Sequence, residues 1–308
     1  MSTGTPIQWC DDSVNPTSGC DGCELLNKNE LGDSECYALH VHLNRLTKAP
    51  ALKATGYYAP SFTEVRMIPG RIEAAARHKD LRGTWRDRKP WLDGLPRCIF
   101  VGDLSDVMSA AVSDDFIERE ILAPMQTEKG KRHIWMLLTK RPRRLAEISI
   151  RRGGLPSNCV AMTSITNQRT ADVRVHELEH VQARWRGISA EPLHGPIDLA
   201  YTCFNGTDSF GTFPGIHWVI IGGESGPNAR CTPVTWIRDL VAQCRRAKVA
   251  TFVKQLGRVP WLTLDGVGSP AIEGRLALAD DKGGDWMEWP DDLRIREMPD
   301  FCQVEVAP

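Results

Sequence analysis

The sequence predicts an α/β fold, specifically a full or partial TIM-like (β/α) barrel with an irregular C-terminal appendage. Short apolar runs alternate along the chain with helical stretches of roughly 10–15 residues, which is typical of βαβ units and a parallel sheet. At least six such runs follow one another. No glycine-rich dinucleotide fingerprint accompanies them, so a barrel is favoured over a doubly wound sheet.

The alternation can be followed from element to element. The first strand, 97–101 (RCIFV), precedes an amphipathic helix that Ser113 caps, and the second, 133–138 (HIWMLL), precedes a helix that begins near Pro142. A third strand is predicted at 159–163 (CVAMT). The remaining elements are a helix through Arg174, Leu178 and Val181, strands at 184–189, 217–221 and 251–253, and a helix at 233–246.

Nearly every predicted strand ends in polar residues. In barrels and open α/β sheets, the functional site lies at the carboxyl ends of the strands. We therefore expect these side chains to converge on one mouth, although loops are commonly polar without any such role. The residues are Asp103, Ser105, Asp106, Thr139, Lys140, Ser164, Asn167, Glu191, Glu224, Lys254 and Gln255.

Two stretches depart from the alternation. Residues 203–215 are rich in Gly, Ser and Thr and are predicted to form a loop over the mouth. Residues 258–308 contain many Pro, Gly and Asp residues, as well as the acidic and aromatic run 285–292 (DWMEWPDD). We expect residues 1–257 to form the barrel with an N-terminal cluster loop, and 258–308 to form an extension packed on it.

The composition is that of an ordinary soluble protein, with 42% hydrophobic and 25% charged residues among 308. The net charge of -1 excludes a strong overall attraction to nucleic acid but leaves room for a local basic patch. Apolar runs such as 216–221 are too short to span a bilayer, and the N-terminus lacks an export-signal pattern. We therefore expect a cytoplasmic protein that does not contact a membrane.

The chain contains ten cysteines, and four of them fall within the first 36 residues. Cys20-Asp21-Gly22-Cys23 is a C-x-x-C pair, whose spacing lets both sulfurs face one metal centre. Cys36 follows immediately before a helix-like stretch that begins at Tyr37. Without an export signal, metal ligation or buried free thiols are favoured over disulfides.

Three interpretations of these cysteines remain open. A structural zinc site needs a fourth ligand, which Cys10, His40 or His42 could supply. A redox dithiol needs only the C-x-x-C pair. Three thiolates on a four-iron cluster leave one iron open for a cofactor, as in enzymes that use S-adenosylmethionine (SAM) to generate radicals. The spacing differs from the usual C-x3-C-x2-C of those enzymes.

Short motifs around the cysteines and at the ends of the predicted strands occur in a fixed order along the chain. They are 7–9 (IQW), 15–20 (NPTSGC), 36–38 (CYA), 100–106 (FVGDLSD), 138–142 (LTKRP), 189–193 (SAEPL), 195–199 (GPIDL), 218–226 (WVIIGGESG) and 252–257 (FVKQLG). Through these motifs, residues 7 to about 257 resemble the phage gp-thirty-seven/gp-sixty-eight family, a set of three-cysteine proteins labelled as a domain of unknown function. One departure is that the close cysteine pair comes first here, whereas the family usually has it just before the tyrosine.

The resemblance implies a radical SAM-like enzyme whose partial barrel holds a [4Fe-4S] cluster on Cys20, Cys23 and Cys36 and cleaves SAM to a 5'-deoxyadenosyl radical. Related cluster enzymes include lyases that repair thymine lesions, so modification or repair of a nucleic acid or nucleobase is one expectation. Each residue expected to contact the cofactor could instead serve as a helix cap, a turn or a core side chain. These residues are Tyr37, Asp103, Ser105, Asp106, Lys140, Ser164, Asn167, Glu191, Gly222, Gly223 and Glu224.

The expected partner is an electron donor such as flavodoxin or ferredoxin. Nucleic acid is a further candidate, because two basic stretches could attract phosphates and stack bases, although solvated helix faces have the same composition. The alternative function is a binding module in which zinc or a cluster is purely structural. A cluster enzyme that works without SAM would need a flavin site, and the sequence shows none. The basic stretches comprise Arg82, Arg86, Arg88 and Lys89 with Trp85 and Trp91, and Arg141, Arg143, Arg144, Arg151 and Arg152.

Overall fold

A computed structural model describes residues 2–26, 34–48, 57–202, 213, 215–226, 228–264 and 272–300. The chain divides into two compact units. The first comprises residues 1–161, 181–184 and 303–308, and the second comprises 162–180 and 185–302. Both units contain parallel strands alternating with helices, so the predicted α/β class is confirmed.

The first unit is built on parallel strands that are buried almost throughout. β2 pairs in parallel with β5, which pairs in parallel with β6, and β1 adds to β2 in the antiparallel direction. β5 and β6 read as continuous apolar runs because both of their faces are covered. β3 and β4 form a separate antiparallel pair. The strands are β1 (Ser2–Thr3), β2 (Asp12–Val14), β3 (Thr17–Ser18), β4 (Arg66–Met67), β5 (Arg97–Val101) and β6 (His133–Thr139).

Helices of the first unit follow the predicted order. Ser113 caps the predicted amphipathic helix by accepting a hydrogen bond from the Phe116 amide at 3.2 Å. The helical segments are Tyr37–Lys48, Arg71–Ala76, Asp114–Phe116 continued by the π-helical turn Ile117–Leu122 and by Ala123–Met125, and Pro142–Arg152, with 3-10 turns at Pro90–Leu92 and Gly130–Arg132.

The second unit contains a parallel set in which β9 pairs with both β8 and β11. A three-stranded sheet is formed by β10, β12 and β13. The strand β7 (Cys159–Ile165) begins in the first unit and ends in the second. The other strands are β8 (Trp185–Ala190), β9 (Trp218–Gly222), β10 (Cys231–Pro233), β11 (Ala250–Gln255), β12 (Val259–Leu264) and β13 (Ile272–Arg275), and the helices are Gln168–Glu179, Leu199–Thr202 and Val234–Ala247, with 3-10 turns at Trp286–Glu288 and Asp291–Leu293.

The described residues after 257 belong to this second unit, together with β8, β9 and β11. Trp289 is buried there, and its indole nitrogen donates to the Gly283 carbonyl at 3.0 Å. The Arg296 guanidinium packs over the rings of Phe252 and Trp289. β12 pairs with β10, so the tail is ordered by strand pairing as well as by side-chain packing.

The predicted strands agree with the observed ones apart from their ends. β7 continues to Ile165 and β11 continues to Gln255, so Ser164, Lys254 and Gln255 lie within strands rather than after them. Most of the loop predicted at 203–215 and part of the tail lie outside the described residues. No helix in the described ranges has both the length and the apolar character needed to cross a membrane.

Candidate functional site

The three cysteines near the N-terminus lie close together in the first unit. Cys20 follows β3 and Cys36 precedes the helix Tyr37–Lys48, and all three thiols are free and half-buried. Burial raises the pKa of the Cys20 and Cys36 thiols. The Ser34 hydroxyl donates to the Leu25 carbonyl at 3.1 Å and accepts from the Cys36 amide at 3.2 Å, so the segment before Cys36 lies against the one that follows Cys23.

Gly19, directly before Cys20, fixes the backbone conformation of the segment that carries the paired cysteines. Gly19 has a φ of 78°, and a Cβ atom there would lie 2.5 Å from the Glu64 carbonyl oxygen and 2.7 Å from that of Phe62. The Cys20 amide donates to the same Phe62 carbonyl at 2.8 Å. The backbone of Cys20 is thereby fixed against the segment that leads into β4.

Hydrogen-bond donors face two of the thiols. The Leu39 amide donates to the Cys36 sulfur at 3.4 Å, and the Arg141 guanidinium lies 4.0 Å from the Cys20 sulfur. The positive charge of Lys140 lowers the pKa of Cys36, against the larger effect of burial. Two cations at the end of β6 therefore favour negative charge at the cysteines.

The end of β6 is tied to the loop after β5 through Asp106. Its buried carboxylate accepts hydrogen bonds from the Thr139 hydroxyl at 2.7 Å and from the Lys140 amide at 3.0 Å. It also forms an ion pair with Arg141 at 2.9 Å. The structure thus places Asp106, Thr139 and Lys140 together, as the strand-end argument predicted for residues of neighbouring strands.

Two other predicted residues of this loop contact the N-terminal segment. The Ser105 hydroxyl donates to the Thr17 carbonyl at 2.9 Å and lies 2.7 Å from the Thr17 hydroxyl. The Asp103 carboxylate accepts a hydrogen bond from the Asn15 amide. Burial raises the pKa of Asp103, and the hydrogen bonds from Asn15 and Ser13 oppose this effect. Both residues therefore hold the N-terminal segment that leads to Cys20.

The second unit carries an ion pair at its strand ends. Lys254 in β11 pairs with Glu191, which follows β8, and both side chains are half-buried. A Cβ atom on Gly222 would lie 3.2 Å from Glu191 Cγ, so the glycine leaves room for this pair. A Cβ atom on Gly223 would lie 2.3 Å from the Leu256 carbonyl oxygen. The Gly222-Gly223 turn is therefore shaped by packing against β11 and the residue that follows it.

Three further predicted residues have local structural roles. Glu224 accepts hydrogen bonds from the backbone and side chain of Arg230, both at 3.0 Å. Asn167 caps the helix Gln168–Glu179 by accepting from the Thr170 amide at 3.0 Å. Ser164 is buried in β7. Tyr37, by contrast, is 69% exposed at the start of its helix.

The residues considered as a fourth zinc ligand lie in different environments. Cys10 is fully buried, and burial raises the pKa of its thiol far above the ordinary value. His42 is buried in edge-on contact with Tyr58 and Phe62. His40 contacts the Ser34 carbonyl at 2.7 Å. Within the described ranges, no three His, Cys, Asp or Glu side chains form a group that could hold a metal ion.

Much of the positive charge in the two basic stretches is engaged within the protein. Arg86 pairs with Asp11 at 3.1 Å, and the Lys89 amine donates to three backbone carbonyls. Arg144 and Arg151 both pair with Asp114. Arg82 pairs with Asp80 at 3.1 Å, whereas Trp85 in the same stretch is exposed.

Sequence reasoning missed Asp21 and an H-E-x-x-H pattern. Asp21, between the paired cysteines, binds Arg141, and its position inside C-x-x-C was the available signal. The pattern H-E-x-x-H occurs at 176–180. The helix there ends at Glu179, and His176 and His180 are exposed. Among the described residues no third metal ligand joins them.

These observations define an α/β protein with a three-cysteine loop beside cations and carboxylates at the ends of β5 and β6. Residues 4–279 match a family described as "Protein of unknown function (DUF5131)", and the chain belongs to that family. No curated protein matches the chain. No solved structure matches it either.

Proposed function

We propose that this protein is a radical SAM-type iron–sulfur enzyme, in which Cys20, Cys23 and Cys36 hold a [4Fe-4S] cluster. The observation that carries the proposal is the grouping of three free thiols opposite Lys140 and Arg141 at the end of a parallel strand. The parallel strands and intervening helices suit the further proposal of a full or partial (β/α) barrel of the radical SAM type.

The residues around the cysteines fit an anionic cluster. Ligation requires thiolates, and burial alone disfavours them, so compensating donors are needed. The Leu39 amide and Lys140 supply this compensation at Cys36, and the Gly22 amide and Arg141 supply it at Cys20. The Nη1 atom of Arg141 is buried and lies 2.9 Å from the Asp106 carboxylate, so this cation is held in place beside Cys20.

A four-iron cluster and a single zinc ion make different demands on their cysteine ligands. A zinc ion draws its ligands into one tetrahedron, whereas each thiolate of a four-iron cluster binds a different iron and can stand further from the others. Three ligands would leave one iron open for SAM.

When bound, the cluster supplies the electron that cleaves SAM into methionine and a 5'-deoxyadenosyl radical. The chain's own contribution is to orient the cofactor and to exclude water. Lys140, whose charge acts on Cys36, is the first-unit residue best suited to pair with the SAM carboxylate. Asp106 holds the backbone of Lys140 in place through its amide.

The substrate is proposed only by class. The resemblance to the phage gp-thirty-seven/gp-sixty-eight family supports a nucleic acid, a nucleobase or a similar metabolite, with flavodoxin or ferredoxin as the electron donor. The charge engaged within the basic stretches lends a nucleic-acid duplex little support, because few of those cations are available for phosphates.

The proposal is tested by anaerobic purification and reconstitution, followed by iron and sulfide analysis and by EPR of the reduced protein with and without SAM. We expect about four irons per chain and a signal that SAM shifts. Single substitutions of Cys20, Cys23 or Cys36 by Ala should abolish this signal. Cys231→Ala is the matched control, because Cys231 is a free, exposed cysteine in β10.

Two results would contradict the proposal. Zinc in place of iron would support a binding module without catalysis, in which the metal has only a structural role. A cluster whose EPR signal is indifferent to SAM would leave an iron–sulfur protein of another class. Loss of the cluster in Cys231→Ala as well would show that the loss is not specific to Cys20, Cys23 and Cys36.

A further inference from the structure

Arg141 joins the cysteine loop to the parallel sheet of the first unit. Its Nη2 atom donates to the Asp21 carboxylate and to the Gly22 carbonyl at 2.6 Å, and it lies 4.0 Å from the Cys20 sulfur. Its Nη1 atom lies 2.9 Å from the Asp106 carboxylate. One guanidinium thus contacts three successive residues of the C-x-x-C loop and the loop after β5.

Both carboxylates that hold Arg141 are themselves anchored. Asp106 accepts hydrogen bonds from the Met108 amide at 2.9 Å and from the Thr139 hydroxyl at 2.7 Å. The other oxygen of Asp21 accepts from the Ala110 amide at 3.0 Å. The guanidinium is therefore fixed from two sides, and its approach to Cys20 follows from this anchoring.

We propose that Arg141 is a positioning residue for the cluster and raises its reduction potential. This inference rests on the proposed function and deepens it. One-electron reduction adds negative charge to a cluster, and a cation or hydrogen-bond donor close to a ligand sulfur favours the reduced form. Arg141 meets this condition at Cys20, and its contacts with Asp21 and Gly22 keep the loop in the geometry that ligation needs.

The contacts also assign Arg141 a role different from that of a ligand for the SAM carboxylate or a substrate phosphate. Such a ligand would direct its forked donors toward open space. Here the Nη2 donors are directed at Asp21 and at the Gly22 carbonyl. Lys140, which follows the same strand, is left for the anionic group of a ligand.

The test compares reconstituted Arg141→Met, Arg141→Lys and Asp21→Asn with the wild type. The readouts are iron per chain, the rate of iron loss to a chelator, and the midpoint potential from an EPR-monitored redox titration. Arg141→Met should lower the potential and release iron several-fold faster. Arg141→Lys keeps the charge and should show a smaller shift, whereas Asp21→Asn breaks the tether and should mainly speed iron loss.

Arg144→Met is the matched control. Arg144 has nearly the same side-chain exposure as Arg141, 21% against 22%, and lies in the helix that follows Arg141 directly. It binds Asp114 and the Ser109 and Val112 carbonyls instead of the cysteine loop. Arg144→Met should therefore lower stability without changing the midpoint potential.

The outcomes separate this inference from the proposed function. A wild-type protein that takes up no iron would remove the proposed function itself. A wild-type protein with a cluster, together with unchanged potential and iron retention in Arg141→Met, would overturn the role of Arg141 and leave the cluster in place. Arg141→Met could also fail to take up a cluster. In that case the role of Arg141 would be overturned if Arg141→Lys had the midpoint potential of the wild type and Asp21→Asn lost iron at the wild-type rate.

Discussion

Gly19 lies so close to Glu64 that an added Cβ atom would stand 2.5 Å from the Glu64 carbonyl oxygen. The same atom would be 2.7 Å from the Phe62 carbonyl oxygen, to which the Cys20 amide donates. Backbone atoms cannot move aside as a flexible side chain can. The position of Cys20 therefore depends on a glycine one residue before it.

We predict that Gly19→Ala displaces the cysteine loop and reduces iron uptake on reconstitution. Its free energy of unfolding should fall by about 2 kcal/mol or more, because an unfavourable φ adds to the steric conflict. Gly153→Ala is the control, since Gly153 has the same φ of 78° with no atom within 4 Å of the added Cβ. It should cost about 1 kcal/mol. Urea denaturation and iron analysis measure both effects, and equal iron uptake in the two variants would contradict the prediction.

Lys89 stabilises the N-terminal segment of the first unit. Its amine donates to the carbonyls of Thr5 at 2.8 Å, Ile7 at 2.6 Å and Cys10 at 2.5 Å. Lys89→Met keeps the length of the side chain but leaves three carbonyls without this donor. We expect a loss of about 3 kcal/mol in the free energy of unfolding, measured by urea titration. The control Lys79→Met, at an exposed lysine, should change the free energy of unfolding by less than about 0.5 kcal/mol. An equally small loss in Lys89→Met would contradict the stabilising role of Lys89.

Hydrophobic periodicity was sufficient to predict the longer, buried strands of the two α/β units. β5, β6 and β9 are buried on nearly every residue, so their sequences are continuous apolar runs that polar flanks delimit. β2 and β3 were not predicted, because they are only three and two residues long and contain polar side chains. Their stability comes from pairing with β5 and β4, which is a tertiary property.

The candidate site could be predicted only in part for a similar reason. The cysteine spacing and the strand-end rule indicated which residues belong near the site. The partners of those residues depend on contacts distant in sequence, such as Arg141 with Asp21 and Ser105 with Thr17. A basic residue in the sequence can serve as a ligand for a phosphate or as a partner for an internal carboxylate, and only the fold decides between the two.

The buried His133 makes the stability of the first unit depend on pH. Its Nε2 atom lies 3.1 Å from the Ala76 carbonyl, and its Nδ1 atom has no hydrogen-bond partner among the described residues. Burial lowers the pKa of His133 to about 4, and the charges of Arg132 and Arg97 lower it further. The hydrogen bond with Ala76 and the charge of Asp80 act in the opposite direction.

The folded-state pKa is thus below the unfolded value of about 6.5. Between these values the unfolded chain binds a proton that the folded chain does not, so stability falls as the pH decreases from about 6.5 toward 4. We expect His133→Gln, which retains an amide donor for Ala76, to remove on the order of 2 kcal/mol of this pH dependence. Urea titrations at several pH values measure it. His180→Gln, at an exposed histidine, should keep the wild-type dependence of the free energy of unfolding on pH. The prediction is wrong if His133→Gln keeps it too.

Asn167 has a helix-capping role that can be separated from its predicted contact with SAM. Its side-chain oxygen accepts hydrogen bonds from the Thr170 amide at 3.0 Å and from the Thr170 hydroxyl at 3.2 Å. We expect Asn167→Ala to lower the free energy of unfolding by about 1 kcal/mol, because the first turn of the helix loses its cap. Asn167→Asp should keep the wild-type free energy of unfolding, because a carboxylate accepts the same hydrogen bonds and its negative charge is stabilised at a helix N-terminus.

The Asp variant then isolates the cofactor contact. It replaces the amide donor of Asn167 with an acceptor that carries a negative charge, so a contact in which the Asn167 amide donates to a ribose oxygen of SAM should weaken. We expect the reconstituted Asn167→Asp protein to need a higher SAM concentration to shift its EPR signal, at unchanged stability in urea. Equal SAM dependence in the wild type and Asn167→Asp would restrict Asn167 to capping the helix Gln168–Glu179 and would remove it from the proposed cofactor site.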